Sequence, residues 1–123
     1  MERLEYGWKV FRKDDAGRLV SYLMKIECAK RVYPVGQWVK PKRDCGPFCL
    51  FRTIDACRDF LGPKLMARSD ISVRPVEYKV SRHKKLWRPA PSGKSVVCTY
   101  LDSLQRLLGS TDIVLADVIR IIT

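Results

Sequence analysis

The apolar residues of Gly7 to Phe11 ("GWKVF") and Leu19 to Cys28 ("LVSYLMKIEC") are largely aromatic and β-branched. That pattern predicts two strands. Asp14-Asp15-Ala16-Gly17 supplies turn residues between them, so the pair reads as a hairpin with Arg12 to Arg18 at its tip. Trp8 and Val10 share one face of the first strand, and Val20, Tyr22, Met24 and Ile26 share one face of the second. Val32 to Val39 is a further extended stretch, where Pro34 and Gly36 predict an edge or bent strand.

Pro47 to Phe51 is a short apolar run that reads as a strand and ends where Thr53 can cap a helix. Ile54, Cys57, Phe60 and Leu61 then recur at helical spacing, Asp55 lies in the first turn, and Gly62-Pro63 is a stop signal. The expected helix is 54–61. Ile71 to Val80 ("ISVRPVEYKV") alternates as a strand in which Pro75 requires an edge or a bulge. Ser81 to Lys94 carries His83, Trp87 and Pro-Ala-Pro-Ser-Gly, which is loop chemistry. Leu101, Leu104, Leu107 and Leu108 predict a short second helix over 101–108, and Ile113 to Ile122 ("IVLADVIRII") a last strand. At a sheet edge, that last strand would pair across a two-fold axis. The fold class is therefore α+β: a twisted, mostly antiparallel sheet with one firm helix and a shorter one, in a single globular domain over 1–123.

Charge changes this ordinary picture. Lys and Arg number 24 against 13 Asp and Glu, a formal net charge of +11. Such a field attracts nucleic acid, an acidic protein face or anionic lipid. No apolar run reaches the ~18 residues of a membrane span, and Met1-Glu2-Arg3-Leu4-Glu5 lacks the apolar core of a signal peptide, so a cytoplasmic chain with no membrane partner is expected. The cysteines are Cys28, Cys45, Cys49, Cys57 and Cys98, an odd and scattered set that suits reduced thiols.

Zinc needs two converging ligand pairs, and only Cys45 with Cys49 offers one. A Cys-x-x-Cys redox pair is missing, because the spacing is one residue too long. His83 is the lone histidine, and it reads as solvated or as a phosphate contact. The basic segments carry more. Lys84, Lys85, Trp87 and Arg88 lie in Lys79 to Lys94, which has no acidic residue; Trp38, Lys40, Lys42 and Arg43 lie in a second basic and aromatic segment, Lys30 to Arg43. Cations neutralise phosphates while aromatic faces stack on bases. The competing reading folds both tryptophans back onto the core. No RNP strand, KH loop, zinc finger or helix-turn-helix is present, so sequence-specific readout is not expected.

Gly46, Pro47 to Phe51, Thr53 and Asp55-Ala56 to Phe60, between "WKVFRKDDAGRLVSY" and "VLADVIRI", form a pattern that resembles small uncharacterised phage and prophage accessory proteins. The resemblance implies an inhibitor of a host nucleic-acid-processing or defence complex. The same strand-helix unit also resembles part of the ADP-ribosyltransferase fold, which would cast Arg12, Ser21 and Glu77 as its catalytic residues. Taken by its own position, Glu77 is a solvent-facing strand residue between Val76 and Tyr78. No nucleophile elbow, P-loop, Rossmann glycine pattern or H-E-x-x-H is present. The expectation is a basic, non-catalytic binding protein without a cofactor, engaging nucleic acid or an acidic protein surface. A transferase-like enzyme and a small zinc-stabilised domain are the alternatives.

Overall fold

The computed structural model describes residues 4–22, 32–90 and 92–123. The elements run β1 (Leu4–Lys13), β2 (Leu19–Ser21), β3 (Trp38–Val39), β4 (Phe48–Phe51), α1 (Ile54–Met66), β5 (Ile71–Val80), β6 (Lys85–Pro89), β7 (Val96–Tyr100), α2 (Leu101–Leu108) and β8 (Ile113–Ile121). This is the expected α+β fold with one longer and one shorter helix. No helix among the described residues is long and apolar enough to cross a membrane.

The first hairpin forms as its turn residues dictate. Asp14 Oδ1 accepts from the backbone N–H groups of Ala16 and Arg18, which closes the loop and sets the register Lys13↔Leu19. The second strand extends only to Ser21; Met24, Ile26 and Cys28 lie outside the described residues. Thr53 caps α1 by accepting from the Ala56 N–H at 3.1 Å. Gly62 does break the helix, with φ 75°, but Pro63 then starts another turn and the element continues to Met66.

Pairing closes the strands into a circuit. β1 pairs β5 from Leu4 to Arg12, β5 pairs β8, β8 pairs β4, and β4 returns to β1 at Trp8↔Phe51. A Cβ on Gly7 would stand 2.8 Å from the Phe51 carbonyl oxygen and 3.0 Å from the Tyr78 ring, so the missing side chain permits this closure. Pro75 is tolerated because the side of its backbone that lacks an N–H faces the end of the β8 ladder, where its carbonyl accepts from Ile122. β8 is not an edge strand: it pairs β3, β4 and β5, which removes it from any two-fold pairing between chains. Asp117 sits exposed at its register shift, which is how a carboxylate fits so apolar a strand.

The circuit has two apolar faces. Phe11, Phe48, Leu50, Val76, Tyr78 and Ile119 belong to one cluster, joined by Tyr33. Cys49, Phe51, Ile113 and Leu115 face the other way, against Cys57 and Leu61 of α1, Leu104 and Leu108 of α2, and Leu86 of β6. Burial on both faces explains why β4 reads as an unbroken apolar run. Lys9 is 1 % exposed; its Nζ donates to the Cys49 carbonyl at 2.9 Å and lies 6.0 and 5.7 Å from the Phe11 and Phe48 ring centroids.

Burial pushes the Cys57 thiol from 9.0 up to about 12, with the charge of Lys9 opposing, and burial with the Glu5 hydrogen bond pushes Tyr78 from 10.0 up to about 12. Both groups hold their protons more tightly folded than unfolded. Stability is therefore full below pH 9.0 and falls as pH rises from there toward about 12. Urea midpoints measured between pH 8 and 11 should decline, and Cys57→Ala should flatten the decline while keeping the part due to Tyr78. An unchanged slope in the variant would refute the assignment to Cys57.

Candidate nucleic-acid interface

Cross-strand register brings four side chains into one row on the outer face of the circuit. Tyr6 of β1 opposes Glu77 of β5, Glu77 opposes Arg120 of β8, and Arg120 opposes Trp38 of β3. The next row pairs Leu4 with Lys79 and Lys79 with Val118, and Lys40 joins them around an open depression of about 530 Å³. Glu77 is only 5 % exposed. Its Oε1 takes an ion pair from Arg120, and its Oε2 accepts from the Tyr6 hydroxyl at 3.3 Å. The solvent-facing reading of Glu77 is thus corrected: on this sheet its position is covered by the two side chains it binds.

The carboxylate fixes the guanidinium, and the guanidinium meets the indole. Arg120 Cζ lies 4.9 Å from the Trp38 ring centroid, and Lys79 Nζ lies 6.0 Å from it. Trp38 stays 42 % exposed and Tyr6 68 % exposed. The result is a held, wet aromatic surface edged with positive charge, a chemistry that suits stacking on flat rings and contact with phosphate. Tyr6 and Arg120 were not singled out from the sequence. Nothing local marks them, because the row depends on pairings between strands far apart in the chain.

The expected binding residues divide between two places. Trp38 and Lys40 belong to the surface just described, while Lys42 and Arg43 are exposed in the following turn. The other set is not a loop. Residues 85–89 form β6, paired with β7 from Lys85↔Tyr100 to Pro89↔Val96. Leu86 explains the difference: at 1 % exposure it anchors that hairpin in the core. Lys84 is exposed, Lys85 and Arg88 half-buried, and Lys85 Nζ lies 5.9 Å from the Tyr100 ring centroid. Trp87 folds back. Its backbone exchanges hydrogen bonds with Gly46, its ring fills the space a Gly46 Cβ would need at 2.7 Å, and His83 meets it edge-on at 4.8 Å.

The residues suggested by a transferase resemblance are dispersed. Arg12 pairs with Ile71, six positions along β5 from Glu77, which is about 20 Å at strand rise. Ser21 is fully buried opposite Phe11. The Cys45 and Cys49 pair is likewise divided: Cys45 is disulfide-bonded and Cys49 is 1 % exposed in the core. Free thiols, expected throughout, are found at Cys49, Cys57 and Cys98, and not at Cys45. Among the described residues no cluster of three or more His, Cys, Asp or Glu side chains is placed to hold a metal ion. No protein-family model matches the chain, and no curated protein or solved structure matches it either.

Proposed function

We propose that this protein is a non-catalytic binding module for single-stranded nucleic acid, and that Trp38, Tyr6, Lys40, Lys79 and Arg120 form its contact surface. The observation that carries the reading is an indole kept in solvent by an arginine that a buried glutamate holds in place. An acidic protein face would satisfy the lysines equally well but gives less reason to hold an indole open to water. A duplex also fits less well, because its bases are already stacked and the surface is a shallow depression with no projecting helix. The net charge of +11 supplies the attraction over distance.

Fluorescence anisotropy with labelled oligo(dT), oligo(U) and a matched duplex, titrated with salt, tests this directly. Single strands should bind more tightly than the duplex, with a log–log salt slope of roughly −2, corresponding to about three phosphate contacts. Absence of binding at low salt would refute the reading and direct the search to an acidic protein partner.

A further inference from the structure

Among the described residues, the β6–β7 hairpin has one edge met by another strand and one edge that no strand pairs. The Trp87 N–H donates to the Gly46 carbonyl and the Gly46 N–H to the Trp87 carbonyl, so the outer edge of β6 is taken. On the other side, Leu101 donates to Lys84 and Ala90 donates to Ser95, which fixes the phase of the ladder. In that phase Leu86 pairs with Thr99 and Arg88 with Val97 through hydrogen bonds, while Trp87 and Cys98 form a non-hydrogen-bonded pair. The backbone N–H and C=O groups of Val96 and Cys98 and the N–H of Tyr100 therefore point away from β6 without a hydrogen bond among the described residues, while the Tyr100 carbonyl, at the N-cap of α2, opens that helix's own ladder.

This edge lacks the usual protection. Native edge strands carry a lysine, a proline or a bulge that discourages a further strand. The β7 sequence Val-Val-Cys-Thr-Tyr has no charge and no proline, and its pairing with β6 is regular over all five residues. Val96 is 59 % exposed and Tyr100 56 % exposed. The charges sit around the strand: Lys94 precedes it, Lys85 lies beside Tyr100 at its far end, Lys84 stands just before β6 and Arg88 lies on it. None of these four is ion-paired among the described residues, and no acidic residue occurs from Tyr78 to Tyr100. Asp44 lies in the depression that Lys94, Trp87 and Val96 line, and Asp102 follows Tyr100 in the first turn of α2.

We propose that β7 is a docking edge for an extended acidic peptide segment of a partner protein, which adds as a third strand to the hairpin. Main-chain hydrogen bonds to Val96, Cys98 and Tyr100 supply the affinity, and acidic side chains reaching Lys94 and Lys85 supply the selection. The two ends of the strand are about 13 Å apart at strand rise, so carboxylates four residues apart on the peptide match them. A second copy of this chain is the poorer occupant, because it would bring the same cluster of cations against its own. The site is separate from the Trp38 surface, and the proposal does not depend on nucleic-acid binding.

The test uses a blocked nine-residue peptide alternating Glu with Val, and the same peptide with Lys in place of Glu, on the whole protein. Hydrogen exchange read by NMR should slow at least tenfold at the amides of Val96, Cys98 and Tyr100 with the Glu peptide, and should not change with the Lys peptide. Cys98→Pro removes one outward N–H without touching the β6 ladder, because prolines are tolerated where the N–H faces solvent. It should weaken the Glu peptide at least tenfold, while Cys98→Ser and Trp38→Ala should leave it unchanged. Equal binding by Cys98→Pro would overturn the proposal in favour of simple charge attraction. So would absent protection in the unsubstituted protein, a reading that stands even if the proline variant fails to fold. Dimerisation through β7 in sedimentation, lost in Cys98→Pro, would overturn it in favour of a second copy.

Discussion

Trp38→Ala is expected to weaken single-strand binding about tenfold or more while leaving the melting temperature within two or three degrees of the parent. The indole is 42 % exposed, so its removal opens no cavity, and the cost falls on the ligand. One base stacked on one aromatic side chain contributes about 1–3 kcal/mol, the basis of the tenfold figure. The salt slope should barely change, because a base-stacking ring neutralises no phosphate. Lys40→Ala makes the complementary case: a smaller loss with a slope shallower by about 0.7. Trp87→Ala separates the surface from the rest of the chain, because that ring packs on Gly46 and His83 and its loss should lower stability more than affinity. If Trp38→Ala binds as well as the parent, the Tyr6–Trp38 face is not the contact surface.

The parts of this molecule that were legible in its sequence are those encoded locally. Thr53 with the helical spacing of Ile54, Cys57 and Leu61 defines the start and buried face of α1, and Asp14 with Gly17 defines the first turn. The hairpin of β6 and β7 was hidden for an equally physical reason. Its basic residues and flanking prolines mask a strand whose deep anchor is the single residue Leu86, and Val96 to Tyr100 is exposed along most of its length. At the site, Trp38 and Lys40 stand out as aromatic and basic residues in one short segment. Tyr6 and Arg120 do not, because a strand residue acquires its neighbours only once the register of distant strands is set. Glu77 shows the same limit: the alternation around it gives its face, but not that Arg120 and Tyr6 cover that face.

Arg120→Ala should be the most destabilising change on this surface, at roughly 3 kcal/mol, because it leaves a buried carboxylate with only the Tyr6 hydroxyl. The side chain of Glu77 is 7 % exposed against 40 % for Arg120, so truncating the arginine exposes the acid only partly, which sets the value at the lower end for a broken buried pair. Glu77→Gln should cost less, since the neutral amide's oxygen can still accept from the guanidinium while its NH2 donates to the Tyr6 hydroxyl oxygen. Adding Glu77→Gln to Arg120→Ala should then recover part of the loss, because it removes the uncompensated charge, and the double-mutant cycle measured by urea unfolding reads that coupling. Additive losses would mean that the two side chains do not interact in solution as they do in the fold. The same variants divide the functional readings. Arg120→Ala should also weaken single-strand binding, since it frees the Trp38 ring and removes a cation, whereas Glu77→Gln should bind nearly as well as the parent. A transferase would behave in the opposite way, losing turnover with the glutamate and keeping its affinity for the target.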